Sequence, residues 1–149
     1  MSVVSFVVHG EPVPQPRPRV STRGGFARAY VPSTHPVHAY RKAVAMQAKA
    51  AGLRDTGDML DVVIMAAFAR PKSHKTKTGL RKGAPALPRP DVDNIAKAVL
   101  DALQDVIGDD THVRQLTIAK RYDDEALTKV AVATVLHDNT AETARRANP

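Results

Sequence analysis

The chain has 149 residues, with 22 Lys or Arg against 15 Asp or Glu, a formal net charge of +7 and an isoelectric point near 10.0. That length suits a single domain with a core of its own, and no apolar stretch approaches the ~20 residues of a membrane-spanning helix, so no membrane partner is expected. Cys and Trp are absent, which excludes disulfides and thiolate metal sites and argues against stacking platforms for single-stranded bases.

The opening MSVVSFVVHG lacks a basic start and a small-residue cleavage site, so it reads as a strand over 3–8 and not as a leader. In GEPVPQPRPRV the prolines exclude a helix and hold the chain extended, with Arg17 and Arg19 projecting from a stiff segment. After the Gly24-Gly25 turn, FARAYV predicts a short second strand, hairpin-paired with its neighbour. Residues 36–51 predict a helix, because Val37, Tyr40, Val44 and Ala48 recur at helical spacing and Gly52 follows. MLDVVIMAAFA, residues 59–69, predicts a central strand.

Residues 70–89 hold seven Lys or Arg and no acid, among Pro, Gly, Ser and Thr, and predict a mobile loop. A helix follows, with the apolar stripe Ile95, Val99, Leu103 and Val106, Asp93 as N-cap and Gly108 as terminator. VRQLTIAKRY and KVAVATVL alternate as strands and predict an antiparallel hairpin. The division expected is one α/β domain of α+β type over 1–137, with a mixed sheet of four to five strands and two main helices, followed by a loose tail over 138–149.

PDVDNIAKAVLDALQDVIGDD gathers six aspartates within a strongly basic chain. Asp93, Lys97, Asp101 and Asp105 share one helix face, where surface ion pairs account for Asp101 and Asp105. Asp91 and Asp93 flank the helix mouth, and as i and i+2 residues of extended chain they point to the same side. Carboxylates so placed repel one another unless a hard cation lies between them, and Mg²⁺ commonly takes one or two carboxylates while keeping several waters. Asn94 can support the site, and Lys97 can reach a phosphate. The second pair, Asp109-Asp110, brackets the same helix. Clustered acids in a polyanion-gripping chain suit metal-dependent phosphodiester hydrolysis, with Mn²⁺ as a possible substitute for Mg²⁺.

DVDNIAKAVLDALQDVIGDDTHV resembles the signature of the RusA family of Holliday junction resolvases, and the proline- and arginine-containing opening is similar too. The resemblance implies a small two-fold homodimer that cuts four-way DNA junctions with Mg²⁺, commonly phage-borne. By motif position it implies Asp91, Asp93 and Asp110 as catalytic metal-binding acids, Asp109 as a further member of the cluster, and Lys97 as assisting base or phosphate contact. His112 stands where the family often has Gln.

A straight helix between the two acid pairs would be ~20 Å long. The reading adopted is that the chain folds back to build each site within one subunit; the alternative is a site shared across the dimer. Arg17, Arg19, Arg23, Lys72, Lys75, Lys77, Arg81, Lys82 and Arg89 are expected to line the surface for the duplex arms. Absence of Cys and action on DNA suit a cytoplasmic setting. The alternatives in play are another metal-dependent DNA nuclease, cutting flaps or nicking, and a non-catalytic basic DNA-binding accessory. HDN at 137–139 and the scattered His residues carry no metal-site spacing.

Overall fold

Alternation of Val4, Phe6 and Val8 with Val3, Ser5 and Val7 gives the first strand, β1 (Ser2–His9), one buried side and one open side. The computed structural model describes residues 2–136, so the expected tail and the HDN triplet lie outside the described residues. The other main strands are β4 (Met59–Ala69), β7 (Val113–Asp123) and β8 (Leu127–Val135), and the two helices are α1 (Pro36–Ala50) and α2 (Val92–Ile107). Two small hairpins complete the fold: β2 (Arg19–Ser21) with β3 (Arg28–Tyr30), and β5 (Lys75–Thr76) with β6 (Gly79–Leu80). The predicted α+β domain with a mixed sheet and two helices is thus observed.

The four long strands lie in the order β1-β8-β4-β7. β4 and β7 run parallel, joined through α2 as the crossover, whereas β8 is antiparallel to both β1 and β4. The predicted β7–β8 hairpin does not form. Alternation identifies a strand but not its partner, and a crossover helix of 16 residues delivers β7 to the free edge of β4. The chain then steps over the end of β4, where the Arg70 amide donates to the Asp123 carbonyl at 3.1 Å, and β8 enters between β1 and β4.

Both helices cover one side of the sheet. Ile64 lies between Ile118 and Val130 in a cross-strand row, and beneath it pack Val37, Val44, Val99 and Leu103, all 0% exposed. Each such aliphatic side chain contributes roughly 1.5–3 kcal/mol on burial. α1 sits over β1 and β8, where the Tyr40 hydroxyl meets the Thr128 hydroxyl at 2.6 Å. α2 sits over β4 and β7, where Ile95 packs with Ala66, Phe68, Ile118 and Tyr122. His35 caps α1, its Nδ1 accepting from the Val37 amide at 3.1 Å, and Pro36 occupies the first helical position.

The basic segment after β4 is not the structureless loop its composition predicts. It folds around the β5–β6 hairpin, with the Arg81 amide donating to the His74 carbonyl at 2.9 Å.

Candidate catalytic acids and nucleic-acid surface

Asp91, not Asp93, occupies the N-cap position of α2, with extended backbone (φ −70, ψ 141), and its carboxylate makes no capping hydrogen bond. Asp93 is already within the first helical turn. The extended i, i+2 geometry expected of this pair therefore does not hold. The pair keeps the helix mouth all the same: both residues are exposed, and negative charge at a helix N-terminus is favoured by the orphan amides and the helix dipole.

Three contacts hold that mouth in place. The Lys120 ammonium, from β7, donates to the Pro90 carbonyl at 2.7 Å, fixing the residue before Asp91. The Gln15 amide donates to the Asn94 carbonyl at 2.9 Å, so the proline-rich segment crosses the first turn of α2. Arg41, on α1, donates both to the Gln15 side chain and to Asp101, the latter at 3.2 Å. Arg17 and Arg19 follow two and four residues after Gln15, and both are exposed. The Lys97 ammonium lies 3.6 Å from the Asp101 carboxylate one turn on, while the side chain as a whole stays 62% exposed.

The other acid pair lies at the far end. Gly108 ends α2 with φ 83, a backbone conformation that favours glycine, and a Cβ there would stand 2.9 Å from the Asp55 carboxylate, which would have to shift. Asp109 then caps the short turn Asp110–His112, accepting from the Thr111 amide at 2.9 Å. That hydrogen bond, helped by the Thr111 hydroxyl and the neighbouring Asp110 and His112, holds the Asp109 carboxyl below the usual carboxylate range. Of the two, Asp109 thus has a structural duty.

α2 separates the pairs by 16 residues, about 24 Å along a straight helix. Pro90 sits beside Phe68 and Tyr122, at the C-terminal ends of β4 and β7, whereas Val113, just after Asp110, pairs with Leu60 at the start of β4. The pairs therefore lie at opposite ends of the β4 and β7 strands, and the chain does not fold back to build a four-carboxylate site within one subunit. Among the described residues, no three His, Asp or Glu side chains come together closely enough to hold a metal ion. A single chain carries two separate acid pairs.

The expected DNA-contacting cations lie at the surface. Arg17, Arg19, Arg23, Lys72, Lys75, Lys77, Arg81, Lys82 and Arg89 are all exposed, the first three around the β2–β3 hairpin and the others on the folded 70–89 segment. A shallow depression of about 770 Å³ along α1 adds Arg41, Lys42 and Lys49. The sequence reading put Arg41, Lys42 and Lys49 on the outer faces of this helix but did not count them, or Gln15 and Lys120, toward the site, because helical spacing shows which face is buried and not what the other faces meet.

Comparison with known proteins gives the class to which this basic α+β domain belongs. Residues 9–133 match the family described as Endodeoxyribonuclease RusA. The chain belongs to that family, whose members are endonucleases of Holliday junctions. It is also similar to a Bacillus subtilis (strain 168) protein named "Uncharacterized protein YqaN", with 32% identity over 143 residues covering 91% of this chain and 99% of the relative. No helix of the described chain is long and apolar enough to cross a membrane.

Proposed function

We propose that the protein resolves four-way DNA junctions by paired, symmetric, Mg²⁺-dependent nicks, acting as a two-fold homodimer whose two sites are each built from both subunits. The observation that carries this reading is the placement of Asp91 and Asp93 at one end of α2 and of Asp109 and Asp110 at the other.

The donor set suits a hard cation: four exposed carboxylates and the Asn94 side-chain carbonyl, with neither thiolate nor clustered imidazole. A Mg²⁺ ion would be held by Asp91 and Asp93 of one subunit with Asp110 of the other, Asp109 bracing that turn. Bound there, the ion would acidify a water and offset charge developing on the leaving oxygen. The chain's own groups supply the rest. Lys97, one turn beyond Asp93, offers its ammonium to the phosphate under attack. Arg17 and Arg19 neutralise the neighbouring phosphates, and the 70–89 segment grips the arms.

The edge strand β7 gives the subunits a way to meet. Its outer edge has no partner among the described residues, and α2 lies over the β4–β7 side of the sheet. Two copies joined antiparallel along β7 would set their α2 helices antiparallel and about 10 Å apart, an ordinary helix-packing distance. Each N-terminal acid pair would then face the other subunit's C-terminal pair. Pairing centred on Ile118 would place Leu116 opposite Lys120 and Gln115 opposite Arg121, so no like charges would be opposed. A two-fold enzyme also suits a junction that must be nicked twice, symmetrically.

The deciding experiment compares four-way, flapped and linear duplexes with Mg²⁺, with Ca²⁺ in its place, and with Asp91→Asn. Paired nicks confined to the four-way substrate, dependent on Mg²⁺ and lost in the variant, are expected. Equal cutting of flaps would mark a different nuclease, and undiminished cutting by Asp91→Asn would remove the carboxylates from the chemistry.

A further inference from the structure

Beside the acidic mouth, between the C-terminal ends of β4 and β7 and the folded 70–89 segment, lies a cleft of about 440 Å³. Pro90 forms part of its wall, so the cleft opens next to Asp91. Its shape is built before any ligand arrives. Arg70 donates to the Pro85 carbonyl at 2.9 Å and Arg81 Nε donates to the Ser73 carbonyl at 2.9 Å. The Arg70 guanidinium lies 4.2 Å over the Tyr122 ring, and the His74 ring meets Tyr122 edge-on at 5.6 Å. Prolines 71, 85 and 88 supply flat apolar wall, while Glu11, Arg81 and Arg89 supply charge.

One atom in this wall is unaccounted for. His74 Nδ1 is buried and has no hydrogen-bond partner among the described residues. Such a nitrogen is costly to leave unpaired, and native structures rarely do so. Burial, together with the Arg81 and Arg70 charges, lowers the His74 pKa below its ordinary value. The ring is therefore neutral at neutral pH and offers one donor and one acceptor.

We infer that this cleft receives one unstacked nucleobase from the strand whose phosphate is cut at Asp91, and reads its edge through His74, Arg81 and Arg89. The inference rests on the junction-cutting reading above. A slot of prolines closed by one braced tyrosine accepts a single flat ring, which a protein without a series of aromatic platforms can still provide. The volume falls within the range of small-ligand pockets. Arginine pairs best with adjacent ring and carbonyl acceptors, as on guanine, and the Glu11 carboxylate suits that base's amino group. At a branch point stacking is already interrupted, so withdrawing a base costs least there.

The test measures junction affinity with Ca²⁺ replacing Mg²⁺, substituting each nucleotide flanking the crossover in turn by an abasic spacer that keeps sugar and phosphate. For the native protein, one position is expected to weaken binding about tenfold. In His74→Ala the ratio between intact and abasic junctions at that position should fall close to one, and His74→Gln, which retains a donor and an acceptor, should restore part of it. Arg89→Ala, altering an exposed side chain, should lower the ratio in the same way and guards against a folding defect in the first variant. Equal affinity for intact and abasic junctions at every position would mean that the cleft takes phosphate alone, and would overturn the inference. So would an identical loss in the native protein and both alanine variants. Absence of any junction complex would instead overturn the resolvase reading itself.

Discussion

Arg41 on α1 and Asp101 on α2 form an ion pair at 3.2 Å with both side chains only 25% exposed, and the same guanidinium holds Gln15 of the proline-rich segment. Three segments distant in sequence thereby meet at the helix that carries the acids. Asp101 is an ion-pairing residue, as its spacing suggests, but it links two helices besides pairing with Lys97.

Breaking this link should loosen the acidic mouth. Arg41→Ala is expected to cost about 1 kcal/mol, the modest end for a partly exposed pair, with a larger loss of cutting, because Gln15 and the following Arg17 lose their anchor. Urea unfolding and cleavage rates check both. The exchanged pair, Arg41→Asp with Asp101→Arg, should recover part of the stability lost in either single variant.

The shared site predicts complementation. Asp91→Asn and Asp110→Asn subunits are each expected to be inactive alone. When they are unfolded and refolded together, the heterodimer has one site with both native halves and one with neither, so single nicks should return. Mixtures as inactive as their parents would show that the two acid pairs do not act together.

Phosphate contact by the exposed cations makes affinity depend on salt. If roughly six phosphates are neutralised, the junction Kd should rise about a thousandfold between 50 and 200 mM monovalent salt. An affinity that barely changed over this range would exclude the Arg17–Arg23 and Lys72–Arg89 surfaces as the main contacts.

Away from the site, Tyr40→Phe leaves the fully buried Thr128 hydroxyl without its partner and should cost about 1–3 kcal/mol at neutral pH. Burial raises the Tyr40 pKa, against a smaller lowering by the Thr128 bond. The folded protein therefore keeps this proton to higher pH than the unfolded chain does, so stability should fall as the pH climbs past 10. The phenylalanine variant lacks that contribution, and thermal melts from pH 8 to 11 would show the difference between the two proteins shrinking.

Much of this was legible in the chain. The stripe Ile95, Val99, Leu103 and Val106 set the buried face of α2, and Gly108 marked its end, because periodicity and backbone strain are local properties. The acids and most of the cations were visible as well. Strand order was not: β7 and β8 alternate as hairpin strands would, yet the crossover through α2 puts β7 on the far side of β4. The distance between Asp91 and Asp110 depends on that same crossover, so a fold-back within one subunit looked open until the parallel pairing of β4 with β7 closed it. His74 gave no signal at all, since its orphaned nitrogen exists only once the 70–89 segment packs on Tyr122.

The position of β8 has a consequence for biogenesis. As the last strand of the described chain it fills the gap between the first and the fourth, so during synthesis neither β1 nor the inner edge of β4 has its partner until residues 127–135 leave the ribosome. Until then two apolar strand edges stand open to other chains. Nascent chains stalled before that segment should accordingly be captured by chaperones or precipitate, and release should trigger closure of the sheet in a single late event.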